Sequence, residues 1–204
     1  MLRSKEVLEV IGSRVSIRRF RQDPIPDDVV KTIVWAATRA PTAGARENWF
    51  FVVIRSEELR KKVHELLIEA HITYAKEIAK MSSDRIEKWK KSMEDGMYLA
   101  PLYIAVYIDL NRLSSGGTRN SSEAEFIMEV QSAAAAIENA ILAAWSFGVG
   151  SVWLGAPLLI EEKFRELMSV SREYKLMGIL ALGYPLEVPS PRRRKPVDDV
   201  TKII

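Results

Sequence analysis

The sequence predicts an α+β fold: a central mixed sheet of four to five strands flanked by helices, with an extended C-terminal arm. Three observations carry this. Short apolar runs at 50–54, 102–110, 151–154 and 175–182 have the length of buried strands. Long segments with apolar residues at helical spacing separate them, which implies helices layered on a sheet. With 204 residues, 48% of them hydrophobic and 28% charged, the chain suits one globular domain over 1–204 with a substantial core.

The elements follow in order. Residues 5–11 read as a short helix ending near Gly12. Pro24-Ile25-Pro26 is a rigid entry to a second helix with an Asp at its N-cap, where Val29, Val30, Ile33, Val34 and Ala37 recur at helical spacing. That helix stops before Pro41, because the residue preceding a proline disfavours the helical conformation. After the strand at 50–54, a Lys/Glu-rich helix runs from 57 to about 81, carrying His64 and His71 on an expected surface face. Ile86, Trp89, Met93, Met97 and Tyr98 mark another helix from Ser83, ended before Ala100-Pro101.

A strand at 102–110 leads into 111–122, which contains Ser114-Ser115-Gly116-Gly117 and reads as a surface loop. The most apolar helix spans about 123–147. Its Ala133-Ala134-Ala135-Ala136 run, with Ala140, Ala143 and Ala144, suits close packing of another helix, within the subunit or across a dimer interface. Gly148-Val149-Gly150 ends it. A strand at 151–154, a tight Gly155-Ala156-Pro157 turn, a helix at 161–168 and a strand at 175–182 closing at Gly183-Tyr184-Pro185 complete the set. From 186 to 204, prolines and the cluster Arg192-Arg193-Arg194-Lys195 read as an extended arm.

Composition narrows the chemistry. Without cysteine there are no disulfides, thiolate metal sites, iron–sulfur clusters or cysteine nucleophiles. Two histidines lacking an organised carboxylate set make a poor metal site, so no metal is expected, and no G-x-S-x-G elbow is present for a serine triad. Catalysis, if any, is expected from a bound group. A net charge of +3 with interleaved signs is not a nucleic-acid footprint. No apolar run of the roughly 18 residues needed to cross a bilayer stands out, and the first residues lack a signal-peptide core, so a cytoplasmic location is expected.

The residues best suited to hold a group are Arg14-Val15-Ser16-Ile17-Arg18. In an extended segment successive side chains alternate faces, so Arg14, Ser16 and Arg18 share one side while Val15 and Ile17 pack the other way. Two guanidinium groups and a hydroxyl at that spacing suit a phosphate clamp; taken alone, the same run also suits a solvated surface.

Five motifs in order then resemble the FMN-dependent nitroreductase superfamily over almost the whole chain. Residues 13–20 resemble its R-x-S-x-R-x-F phosphate motif, and Ala40-Pro41-Thr42-Ala43-Gly44 with Trp49 its A-P-S…W segment. Gly148-Val149-Gly150-Ser151-Val152-Trp153-Leu154-Gly155 resembles G-L-G-x-x-W-x-G, Leu182-Gly183-Tyr184-Pro185 the late L-G-Y-P, and Arg194-Lys195-Pro196 the closing basic motif. The resemblance implies FMN as cofactor. Arg14 and Ser16, with Val15 between them, would hold its phosphate, joined by Arg192 and Arg194 from the arm. Arg18 would lie near the N1/C2 edge of the ring, where a cation stabilises the reduced anion.

Trp153, Leu154 and Gly155 would pass the N5 edge, with a backbone amide of the turn donating to N5. Pro41, Thr42 and Ala43 would touch the partner subunit's flavin in a homodimer. The 71–97 segment would close over the ring as a lid. Trp49 is expected as a core anchor.

The implied activity is hydride transfer from NAD(P)H through flavin N5 to an electron-poor small molecule, a nitroaromatic or quinone, by a ping-pong cycle. Ala45-Arg46-Glu47-Asn48 replaces the usual N-x-Q-P before Trp49. The acidic residue resembles the flavin dehalogenase branch, whose lid binds an amino-acid zwitterion through Glu, Tyr and Lys; Glu69, Tyr74 and Lys91 would stand nearest those positions. A reductive dehalogenase and a non-catalytic flavin or deazaflavin module remain as alternatives.

Overall fold

The computed structural model describes residues 4–113 and 119–204. Strands β1 (Trp49–Ile54), β2 (Leu102–Asp109), β3 (Gly150–Leu154) and β4 (Tyr174–Gly183) form one sheet in the order β1-β2-β4-β3. Every ladder between them is antiparallel; the mixed character expected of the sheet rests on one parallel bridge, Ser16 to Ser151.

β2 shows why the fold has two layers of helices. Every residue from Leu102 to Ile108 is buried, as a central strand covered on both faces must be. Tyr103, Ala105 and Tyr107 face one core with Val63, Leu67 and Phe164, while Leu102, Ile104 and Val106 face another with Ile33, Ile137 and Ala140. Helices α3 (Glu57–Glu77), α4 (Ser83–Glu94) and α6 (Glu161–Leu167) therefore lie on one face; α2 (Asp27–Ala37) and α5 (Arg119–Ser146) lie on the other. α1 (Ser4–Ser13) precedes them and meets α5, where Trp145 Nε1 donates to Ser13 Oγ at 3.0 Å.

Several boundaries differ from the sequence reading. Pro26, not an aspartate, is the N-cap of α2; Asp27 is the first helical residue and pairs with Arg55. α3 stops at Glu77 and α4 at Glu94, because the chain turns through Lys80 at φ 48° and Gly96 at φ 95°. Tyr98 is thereby turned inward, and its N–H donates to the Arg18 carbonyl at 2.8 Å. α5 begins at Arg119, so the loop expected over 111–122 is shorter; its Ser114–Gly117 stretch lies outside the described residues.

α5 overturns the expectation that no segment has the length and apolarity to cross a bilayer. Its Glu123–Ser146 stretch, with mean hydropathy 1.2, is long and apolar enough to cross a bilayer. Here Ala133, Ala136, Ile137, Ala140, Ile141 and Ala144 are buried against α2 and the sheet. The small side chains that suggested close packing are the ones that provide it.

Candidate functional site

The segment after α1 runs extended along β3. Ile17 N–H donates to the Ser151 carbonyl at 2.9 Å, and Phe20 bridges to Pro185. Gly150 permits this approach, since a Cβ there would overlap the Ile17 side chain. Alternation does the rest: Ile17 is fully buried, and Arg14, Ser16 and Arg18 turn outward.

These three side chains line a cavity of about 640 Å³ together with Val15, Glu138 of α5, and Arg192 and Arg194 of the arm. Arg14 Nε lies 3.8 Å from the half-exposed Glu138 carboxylate, while Arg18 donates to the Ser16 carbonyl at 3.3 Å. Among the described residues, Arg18, Arg192 and Arg194 have no carboxylate partner. Four guanidinium groups against one carboxylate leave an excess of positive charge suited to an anion.

Arg18 also lines a second cavity of about 550 Å³, so the two adjoin at this residue. One wall of the second is the end of β3 and the turn after it: Val152, Trp153, Leu154, Gly155, Ala156, with Leu158 and Leu159. The opposite wall is His71 and Tyr74 from α3, Ile78 just after it, Trp89 from α4, and Tyr98. Trp153 remains 41% exposed on its open side. A Cβ on Gly155 would meet no protein atom within 4 Å, so this turn gives the cavity an unobstructed backbone wall.

His71 corrects the expectation of surface histidines. It is 5% exposed, stacked on Tyr98 at 4.9 Å between ring centroids and set edge-on to Trp89 at 5.3 Å. Nδ1 lies 2.7 Å from the Leu67 carbonyl, which can only accept, so Nδ1 carries the proton. Burial pushes the imidazole pKa down, outweighing the opposing effect of that hydrogen bond. His64 is buried too, donating through Nε2 to the Met97 carbonyl at 3.1 Å and clasping α3 to the turn after α4. Among the described residues no cluster of histidine and carboxylate groups could hold a metal.

Other expected site residues lie elsewhere. Pro41, Thr42 and Ala43 line neither cavity; Ala43 N–H donates to Ser132 of α5 at 3.1 Å, and Thr42 Oγ1 accepts from Glu47 N–H at 3.3 Å. Arg46 reaches Glu125 and Glu129 of α5 at 2.5 Å each, Asn48 is buried, and Trp49 packs against the core, as expected. The substituted stretch thus faces α5, away from both cavities of this chain. Of the three zwitterion candidates only Tyr74 reaches a cavity: Glu69 pairs with Lys163 at 2.5 Å, and Lys91 is exposed on α4.

Tyr98, Leu158 and Leu159 stand outside every expected site segment, while His71, Ile78 and Trp89 were expected only as part of the 71–97 lid and not individually as wall residues. A local signal lay in the spacing of His71 and Tyr74, at i and i+3 on one face of α3, with Ile78 at i+7 directly after the helix end.

Known proteins resemble this chain in sequence and in fold. A putative NADH dehydrogenase/NAD(P)H nitroreductase from Archaeoglobus fulgidus is 30% identical over 183 residues, covering 89% of this chain and 86% of its own. Iodotyrosine deiodinase 1 from Rattus norvegicus is 26% identical over 199 residues, covering 95% and 68%. The crystal structure of a BluB-like flavoprotein from Clostridium difficile 630 superimposes with a TM-score of 0.76 at 28% identity, covering 97% of this chain and 98% of that one. The model of the nitroreductase family matches residues 11–184, and the chain belongs to that family.

Proposed function

We propose that the protein is an FMN-dependent, NAD(P)H-consuming oxidoreductase. The observation that carries this reading is the pair of cavities joined at Arg18, one rich in unpaired guanidinium groups and one walled by aromatic side chains. The donor set fits a terminal phosphate, and the unobstructed Gly155 turn fits the edge of a flat ring. The likeness to a flavoprotein and the nitroreductase name of a 30% identical relative support the same assignment.

Arg14, Ser16, Arg192 and Arg194 hold the phosphate, with Val15 packed behind them. Arg18 lies between phosphate and ring and favours negative charge on the ring. Trp153 and Leu154 border it, and a backbone amide near Gly155 donates to it. Residues 71–97 form the lid. The chemistry that FMN supplies when bound is two-electron transfer at N5, from NAD(P)H to a nitroaromatic or quinone, in a ping-pong cycle. Pro41, Thr42 and Ala43 line neither cavity of their own chain, which suits a homodimer in which they complete the partner's site.

A second reading, reductive dehalogenation, is supported by the deiodinase relative and the placement of Tyr74. Glu69 and Lys91 do not join it.

The purified protein is expected to be yellow and to release FMN, not FAD, on denaturation. NADH or NADPH should bleach it anaerobically, and nitrofurazone or a quinone should restore the colour; restoration by iodotyrosine alone would select the second reading. Flavin that no nicotinamide reduces would make the protein a binding module. Arg14→Ala should weaken FMN binding by about 10- to 100-fold, as expected when an anion loses a charge-assisted partner. Unchanged flavin retention would remove Arg14 from the clamp.

A further inference from the structure

The aromatic cavity has donors for an oxidised acceptor but also one group that such an acceptor does not use. Arg18 can only donate, and Tyr74 offers a hydroxyl that can donate. A nitro group or quinone carries acceptor oxygens, so these two side chains suffice for it.

His71 has the opposite character. Its Nδ1 proton is committed to the Leu67 carbonyl at 2.7 Å, and the ring is more than nine-tenths buried between Tyr98 and Trp89. The neutral imidazole then presents Nε2 as a bare acceptor. Among the described residues Nε2 has no hydrogen-bond partner, yet it is not among the polar atoms sealed from solvent. Since His71 lines the cavity, this unpartnered nitrogen is open to whatever occupies it. A ligand that displaces water from Nε2 without offering a donor leaves this acceptor unsatisfied, at a cost in free energy, so a ligand with a donor at that position is favoured over one without.

Of the two substrates of the proposed cycle, only the nicotinamide carries such a donor on its ring: the carboxamide N–H. We propose that His71 is a specificity-determining residue that accepts a hydrogen bond from the nicotinamide carboxamide of NAD(P)H. The two substrates share one cavity and are read by different atoms, the nicotinamide by the His71 acceptor and the oxidised acceptor by the Arg18 and Tyr74 donors. This inference rests on the oxidoreductase reading above.

The test is equilibrium binding to the FMN-loaded protein, which needs no turnover. NAD⁺ is compared with its 3-acetylpyridine analogue, which keeps the ring and carbonyl but replaces the amide NH₂ by CH₃. Wild type should bind NAD⁺ about 3- to 10-fold more tightly, the range of one net hydrogen bond. His71→Phe, which keeps a flat ring between Tyr98 and Trp89, should abolish that preference, and His71→Gln, which restores an acceptor, should recover part of it.

¹⁵N NMR of the imidazole should show Nε2 unprotonated at neutral pH in the free protein and perturbed by NAD⁺. Equal affinity of wild type for the two dinucleotides, a preference surviving in His71→Phe, or a protonated Nε2 would overturn the proposal. If His71→Phe fails to fold, the wild-type comparison and the NMR tautomer decide. Anaerobic bleaching of wild type by NADH tests the parent reading separately: bleaching without a His71-dependent preference rejects only this inference.

Discussion

Gly178 lies where β4 passes beneath Trp153. Its φ of 146° is one that side-chain-bearing residues rarely adopt, and a Cβ there would collide with the indole Nε1. The register agrees: β2 pairs Val106 with Gly178 but Tyr107 with Leu176, a bulge that turns the strand at this point. Gly178→Ala should therefore lower stability by about 1 to 3 kcal/mol, the usual cost of a disfavoured backbone conformation, read as a fall in the urea midpoint. Because Trp153 borders the aromatic cavity, the same variant should weaken ligand binding there. An unchanged midpoint would mean that the strand relaxes and the glycine is dispensable.

At the level of elements, α6 is fastened to β4 by a buried carboxylate. Glu161 accepts from Arg165 and Lys175 at 2.5 Å each and from the Leu176 N–H at 3.1 Å. Burial opposes its charge, but the Lys175 and backbone hydrogen bonds, with the nearby Lys175 and Arg165 charges, outweigh burial and hold its pKa below the ordinary carboxylate value. A depressed native pKa means that the unfolded chain binds the proton more readily. The contribution is then fully present above the unfolded value of 4.5 and is lost as pH falls through the lower native pKa. Glu161→Gln should cost about 3 kcal/mol at pH 7, as breaking a buried ion pair does, and should flatten the acid limb of stability against pH in urea titrations. A variant as acid-sensitive as wild type would place the titrating group elsewhere.

The legibility of these elements follows the range of the forces that set them. Strand β2 and the face shared by Arg14, Ser16 and Arg18 depend on a two-residue period, which is local, and both were readable. The wall formed by His71, Trp89 and Tyr98 depends on α4 and the turn after it folding back on α3. The many Lys and Glu residues of α3 hid the narrow face that this contact buries. Arg192 and Arg194 meet the clamp only because the arm returns to it, so no local pattern announced them; the motif resemblance did.

For the whole molecule, the exposed apolar surface bears on assembly. Ile127, Met128 and Val130 of α5 are 49%, 50% and 38% exposed, and Trp35 of α2 is 60% exposed. Scattered apolar residues are ordinary on a surface, but three within four positions of one helix are not scattered. Ser132, one turn beyond Met128 and accepting from the Ala43 N–H, ties this part of α5 to the segment proposed to complete a partner's site.

An interface here would need to bury roughly 1,200 Å² or more to be stable. Wild type should then run in size-exclusion chromatography with light scattering at twice its chain mass of 23.1 kDa. Ile127→Glu with Met128→Glu places two carboxylates on exposed positions, so the subunit should fold while like charges facing across the interface separate the pair. The double variant should be monomeric and should lose FMN although its phosphate clamp is intact, since Pro41, Thr42 and Ala43 no longer reach a partner. Retention of FMN by a monomeric variant would show that one chain suffices for the site, and a monomeric wild type would remove the shared site altogether.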